Sequence, residues 1–486
     1  MSVERVLPKT LDYTDVLPLA VESKSRRRTF FPTNGATFNS NGNNIIRIDI
    51  SADALLDTQH SYLKFDVEMS DAAGALTSGV DTAGGHAFFS RLRVEQSGTI
   101  LEDIQQYNRL MGAIVLPCQE SSDANSIRSV TEAQYAAGQV HTGAAGQGNN
   151  HTTKAIDVAV AGAGAGGANG IGAMLEATGN CVSGIDQFPN GAVMTFCIPL
   201  TSGLLNCEKL VPLMLMSAPL TIELELGDAL STTVASAAGN RVQLRDVRYI
   251  ANLVEVGSEV SQQLRMLQEM SGGVLTLTGQ TFRHFGANIA AGGSNTVNVP
   301  ARVKSMKSIF FNCRGNAADA QGTVDIGSGT TQEITDYQFK IGSVVYPPTP
   351  VNGPGATATA TLRKGEALME LEKAWGNVGS RFGMGKFTKN NNFYINARLR
   401  PNAIGAAGVA ADANRPAYAP FGLDMEAFQR VAIESGVNTA DRALPISLIL
   451  NHGGAAGGAQ AGPIDIYVLA DALFYINADG SMSVSV

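Results

Sequence analysis

In Ile46-Arg47-Ile48-Asp49-Ile50, and again in Leu63-Lys64-Phe65-Asp66-Val67-Glu68-Met69, every second side chain is apolar and every intervening one is charged. That period of two belongs to a sheet with one face in a core and the other in water. The same parity marks Ser90–Val94, with a short return at Ile100-Leu101 after the turn residues Gln96-Ser97-Gly98-Thr99. It marks Ala192–Leu200 and Leu220–Leu226, and Val242–Val256 reads as one long strand or two broken ones. A second round begins at Gly273–Thr278 and continues through Met306–Cys313, Tyr337–Val345, Phe393–Leu399, Ile446–Leu450, Ile464–Leu469 and Ala472–Asn477.

The period changes to three and four at three places. Ile104, Tyr107, Leu110 and Met111 predict a short helix ending near Gly112. Val260, Leu264 and Leu267, between Gly257 and Gly272-Gly273, predict a helix of about three turns that separates the two rounds of strands. Leu368, Leu371 and Trp375 predict another, after the proline-bearing segment Tyr346-Pro347-Pro348-Thr349-Pro350. From about 136 to 191 the chain is thick with Gly, Ala, Asn and Thr, the composition of a surface excursion.

At 486 residues the chain exceeds one ordinary core, because cores split beyond roughly 250–300 residues. Short strands, long excursions and an inserted helix recur in both halves, although no repeat is visible in the sequence itself. The expected fold is all-β with short inserted helices: two tandem eight-stranded jelly-roll sandwiches, since sheets of this kind must hide their edges by closure or by partners. The expected divisions are an extended N-terminal arm at 1–35, a first jelly roll at 36–256, a helical linker at 257–272 and a second jelly roll at 273–486.

Constellations able to do chemistry are missing from the sequence. No Gly-x-Ser-x-Gly elbow occurs, and His60, His86, His141, His151, His284 and His452 are dispersed without a His-Glu-x-x-His face. Gly162-Ala163-Gly164-Ala165-Gly166-Gly167 matches a dinucleotide fingerprint formally but has no strand before it, and Gly383-Met384-Gly385-Lys386 is followed by Phe387 rather than Ser or Thr. Glu223 and Glu225 alternate on a wet strand face, and Glu366 and Glu370 lie at helical spacing, so surface charge explains both pairs. Cys118, Cys181, Cys197, Cys207 and Cys313 are odd in number and lack a Cys-x-x-Cys pair, against a disulfide framework or a zinc site and in favour of a reducing place of synthesis. Neither a leader after Met1 nor a run of roughly 18 apolar residues is present, which predicts a soluble, non-secreted chain and an unused Asn150-His151-Thr152 acceptor. No enzyme activity and no cofactor are expected.

The net charge of −8 makes the whole surface a poor binder of phosphate. Lys24, Arg26, Arg27 and Arg28 form the one basic run, read here as a tether or a set of contacts to a neighbouring subunit, with direct sequence-specific nucleic-acid binding not expected. Arg26, Arg27, Arg28, Phe30 and Phe31 are therefore the candidate assembly residues.

Thr37–Ile48 leading to Asp57–Phe65, Leu210-Val211-Pro212-Leu213 before the strand Leu220–Leu226, the joint Val254–Ser261, Ile341–Pro347 before a helix at 366–376, and the terminal Tyr467–Ile476 together resemble the double jelly-roll major capsid proteins of the adenovirus hexon, tectivirus coat, large eukaryotic DNA virus and virophage lineage. The resemblance spans nearly the whole chain and rests on the order of weak motifs. Where the large-virus members carry an arginine-rich helix after the joint, this sequence has Gln262-Gln263-Leu264-Arg265. The resemblance implies a structural protein that forms homotrimeric, pseudo-hexagonal capsomers in an icosahedral virion. It implies penton and minor capsid proteins as further partners, and synthesis in the host cytoplasm. Long loops at 136–191, 314–333 and 400–420 would then form towers and seams. The competing classes are a carbohydrate-binding or carbohydrate-active β-sandwich, which would want exposed aromatic platforms where this chain has the single Trp375, and a fibre or adhesin, which would show repeats.

Overall fold

The computed structural model describes residues 23–39, 42–70, 79–80, 83–118, 131–132, 193–227, 233–234, 241–314, 326, 329, 332–355, 365–375, 419–426, 436–441, 445–453 and 461–486. The strand expected at Phe393–Leu399, the 136–191 excursion, Cys181, His141, His151, Asn150 and both glycine motifs lie outside them.

Described strands run in chain order as β1 (Ser23–Phe30), β2 (Thr37–Asn39), β3 (Ile45–Ile50), β4 (Leu55–Ser70), β5 (Gly79–Val80), β6 (Phe89–Gln96), β7 (Thr99–Gln105), β8 (Val193–Ile198), β9 (Val211–Pro212), β10 (Leu220–Leu226), β11 (Thr233–Val234) and β12 (Arg241–Val256). After the joint come β13 (Val274–Ile289), β14 (Ser294–Asn298), β15 (Met306–Cys313), β16 (Ile334–Ile341), β17 (Val344–Asn352), β18 (Pro420–Asp424), β19 (Ile446–His452), β20 (Gly462–Asn477) and β21 (Met482–Ser485).

Four sheets carry the architecture, with orders β1-β12-β4-β8, β3-β10-β6-β7, β13-β20-β15-β18 and β14-β19-β16-β17. If β1 and β2, which both pair with β12, are counted as one interrupted strand, and the two-residue strands and the short β21 beside β20 are left aside, each half has eight principal strands. Numbered along the chain within each half, they stand in space as 1-8-3-6 and 2-7-4-5. Both halves thus have the same Greek-key order, that of a jelly roll. The eight-stranded tandem sandwich expected from the sequence is the fold.

Alternation places the cores. Ile46, Ile48 and Ile50 of β3 face inward with Leu92 and Val94 of β6 and Leu220, Ile222 and Leu224 of β10. Opposite them Phe65 of β4 stacks on Phe196 of β8 at 5.3 Å and meets Phe88 and Phe89 edge-on. On the wet face of the same sheet Arg47 bridges Glu223 and Glu95, and Arg93 reaches Glu223, a cross-strand ladder of opposite charges. In the second sandwich Phe311 stacks on Phe421 at 4.9 Å with Tyr337 edge-on to both, and Trp375 packs 4.6 Å from Phe310.

Several elements depart from the sequence expectation, each for a physical reason. Ser23–Phe30, expected inside an extended arm, is the first strand of the first sandwich, paired with β12 along its whole length; its side chains are exposed up to Arg28, so no apolar alternation announces it. Ile104 lies within strand β7 instead of opening a helix, and the helical run is Tyr107–Cys118, entered through Gln106 at φ +50°. Tyr337–Val345 is a hairpin of β16 and β17 folded at Gly342, whose φ of +60° suits glycine. The prolines that follow belong to β17, an edge strand, where a missing N–H breaks no ladder. Ile464–Leu469 and Ala472–Asn477 are one strand, β20, because the intervening Asp471 is buried with partners. Val242–Val256 is likewise one strand, with a register shift after Arg245 where Asp246 takes φ +49°.

The joint is a helix, Ser258–Met270, as expected. Its apolar stripe is not packed as the period suggested: Val260 and Leu264 are half-buried, Met266, Leu267 and Met270 are exposed, and the one buried side chain is Gln268. Its amide donates to the carbonyls of Ile476 and Asn477, fastening the helix to the second sandwich. The helix Gly365–Ala374 buries Ala367, Leu371 and Ala374 against the second core, with Trp375 just beyond it.

Candidate assembly surface

The predicted assembly residues are brought together on one sheet edge. β1 is the outer strand of its sheet, so one row of its backbone groups has no partner among the described residues. Arg26 Nε lies 3.1 Å from Glu255, Arg27 donates to the Tyr62 hydroxyl at 3.3 Å, and the Arg28 guanidinium sits over the Phe30 ring at 5.0 Å. Phe30 is buried, whereas Phe31 is 59% exposed beneath the guanidinium of Arg248. The basic run is thereby partly neutralised by its own sheet and faces outward beside an exposed aromatic ring.

A second surface, missed by the sequence reading, joins the two sandwiches. β13 and β21 of the second approach β7 of the first. Glu102 on β7 is fully buried there and accepts hydrogen bonds from the Gly203 amide at 2.9 Å, the Thr281 hydroxyl at 2.5 Å and the Ser202 hydroxyl. Burial pushes its carboxyl above the usual range, and these donors pull the other way without cancelling it. Beside it two glycines meet: a methyl group on Gly279 would lie 2.3 Å from the Gly203 carbonyl oxygen, so the backbones touch where no other residue fits.

Gln96 continues the seam, donating to the Gly480 carbonyl at 3.1 Å and accepting from the Met482 amide at 2.6 Å. The Tyr467 hydroxyl donates to the Gln106 carbonyl at 2.9 Å. Near it Asp465 is gripped by His284 at 2.9 Å and Arg314 at 2.7 Å. Burial alone would raise the Asp465 carboxyl, but the His284 hydrogen bond, with the charges of Arg109 and Arg314, holds it below the ordinary range. Two signals for the seam were present in the sequence. Glu102 is a charge in the same phase as the inward Ile104, and Gly279 interrupts the strand pattern Val274–Thr278.

Each described histidine is tied into structure: His60 to Asp57, His86 to Tyr107 and Glu132, His284 to Asp465, and His452 to the Gln332 carbonyl. Among the described residues no group of three or more His, Cys, Asp or Glu side chains is placed to hold a metal, and no helix is long and apolar enough to cross a membrane. Cys118, Cys197, Cys207 and Cys313 are free thiols, with burial raising Cys118 and Cys313 furthest.

No family model and no curated protein matches the chain. Solved structures do. PBCV-1 VP54, fitted into a reconstruction of the virophage Sputnik, superposes with a TM-score of 0.57 at 10% identity over 98% of this chain and 99% of that one. The Faustovirus major capsid protein gives 0.57 at 9% identity over 96% and 92%, and the Sputnik virophage structure 0.52 at 10% identity over 100% and 93%. At such identities the likeness is one of fold, and it extends over both sandwiches and the joint between them. The chain has the double jelly-roll fold.

Proposed function

We propose that this chain is the major capsid protein of an icosahedral DNA virus, a structural protein that closes into trimers and then tiles a shell. The observation that carries this reading is the seam. Inside the chain, strand 5 of the first sandwich (β7) lies against strand 1 of the second (β13). The corresponding strands at the far ends, strand 5 of the second (β17) and strand 1 of the first (β1), are both edge strands with largely exposed side chains. A repeat of the same step across a chain boundary sets β17 of one copy beside β1 of the next, a heterologous contact that closes into a ring. Three copies supply six sandwiches, hence a pseudo-hexagonal capsomer. Open edges, which a solitary protein must blunt, then become the subunit interface.

In this reading Arg26, Arg27, Arg28, Phe30 and Phe31 act as contact residues between copies, and the first sandwich begins no later than β1. The two sandwiches, divided near 256 and 273, are folding units of one subunit. The protein acts in the virion after synthesis in the host cytoplasm, with penton and minor capsid proteins completing the shell. The full-length chain is expected to run in light scattering at three times its own mass and to show squat hexagonal particles in negative stain. A monomer at micromolar concentration and physiological salt would contradict the proposal.

A further inference from the structure

Strand β15 is buried at every position from Met306 to Cys313, and one of those positions is a lysine. Lys307 sits where the register of β15 against β20 shifts, between Met306 and Ser308. Its side chain is 5% exposed, and its Nζ lies 3.2 Å from Glu426 Oε1 and 3.8 Å from Asp471 Oδ1, on carboxylates that are 9% and 4% exposed. The three groups come from one sheet layer. β15 is flanked by β20, which carries Asp471, and by β18, after which Met425 bonds back to the Lys307 carbonyl and presents Glu426.

We propose that Lys307 and Asp471 are joined in the mature protein by an intramolecular amide bond whose formation Glu426 assists. Asp471 is already held for such a reaction: its Oδ2 accepts from Ser305 Oγ at 2.6 Å, and its amide donates to the Ser305 carbonyl at 3.1 Å. Glu426 Oε1 is within ion-pair distance of Nζ but off the angle of a hydrogen bond, and it has no other hydrogen-bond partner. Burial raises its carboxyl, opposed by Lys307, so it is suited to hold a proton.

The step balances. Lys307 gives a proton from its ammonium to Glu426. The freed Nζ attacks Cγ of Asp471, a C–N bond forms, and one C–O bond of the carboxyl breaks. The departing oxygen leaves as water with the proton returned by Glu426 and one released from the attacking nitrogen. Glu426 ends as it began, and no oxidant or co-reactant is needed. The low-dielectric site favours the change because an ammonium and a carboxylate, costly to bury, become one neutral amide. Fixed neighbours in a folded interior reach effective concentrations on the order of 10⁵ M or more, which compensates for a sluggish reaction between a carboxylate and an amine.

The chemistry is read by the intact mass of the denatured full-length protein, followed by peptide mapping. The wild type is expected one water lighter than its sequence mass, with a branched peptide joining the segments that contain Lys307 and Asp471. K307R and E426Q are expected at full sequence mass, with the two segments in separate linear peptides. Wild-type protein at full sequence mass overturns the proposal, and so does a lost water that maps to any other pair. E426Q carrying the bond at wild-type yield removes Glu426 from the mechanism. Because the mass is read on denatured chains, the wild-type result decides even if a variant folds poorly.

Discussion

Strand 1 of the first sandwich and strand 1 of the second occupy the same topological place and are used in opposite ways. In the second, β13 runs unbroken through sixteen residues against β20, from Val274 opposite Asn477 to Ile289 opposite Gly462, and meets the first sandwich at Gly279 and Thr281. In the first, the strand is split into β1 and β2 around Pro32 and Gly35, carries three arginines, and looks outward. One position is spent inside the subunit on a close, polar-locked seam. Its counterpart is left charged and open, on the edge where the proposed contact with another copy would form.

The comparison breaks most readily at the cores, which both halves need equally. Phe65→Ala and Phe311→Ala are each expected to cost about 3–5 kcal/mol, read as a lower calorimetric transition for the sandwich that holds the residue. A loss of similar size in both halves from either variant would mean one cooperative unit.

At the seam, Gly279→Val forces a side chain onto the Gly203 carbonyl and is expected to cost roughly 1–3 kcal/mol or more, felt on both sides of the contact rather than in one sandwich alone. Glu102→Ala leaves the Thr281 and Ser202 hydroxyls and two buried amides without their acceptor, for a loss of about 1–3 kcal/mol. Hydrogen exchange along β7 and β13 would report both.

Acid sharpens the contrast, because the two buried carboxyls have shifts of opposite sign. Asp465 is held low in the folded chain. Its contribution to stability is present above the unfolded carboxyl value of about 4 and is lost as pH falls through the lower folded value. Glu102 is held high. Its contribution is complete at low pH and is lost as pH rises through the raised folded value. D465N should therefore flatten the acid limb of a melting-temperature profile, and E102Q the limb on the neutral side. Identical profiles for wild type and D465N would remove Asp465 from the account.

The smallest effect on folding falls at the open strand. Arg26→Ala breaks an exposed ion pair worth under about 1 kcal/mol, so the melting temperature should barely move. Removal of Arg26, Arg28 and Phe31 together is expected to shift the mass in light scattering from trimer toward monomer. An unchanged trimer would place the interface elsewhere.

Much of this was legible in the sequence, wherever a strand has one wet face. Ile46–Ile50, Leu63–Met69 and Leu220–Leu226 announce themselves because burial on one side forces alternation. β1 was not legible, since its strand form comes from hydrogen bonds to β12 and its charges stay in water. β17 hid behind prolines that only an edge position tolerates. The joint helix showed the right period but not its consequence: Leu267 and Met270 repeat as a core stripe would, yet stay exposed. The basic run of β1 could be read from charge, whereas the partners across the seam could not, because Glu102 and Thr281 lie far apart in sequence and only the paired sandwiches bring them together.

If the seam repeats between copies, β1 and β17 are the two halves of that contact. A single-particle reconstruction of the purified full-length protein tests it directly. The expected result is three copies in a closed ring of six sandwiches, with β17 of each set beside β1 of the next. A solitary chain, or a ring in which β1 and β17 both face solvent, would contradict it.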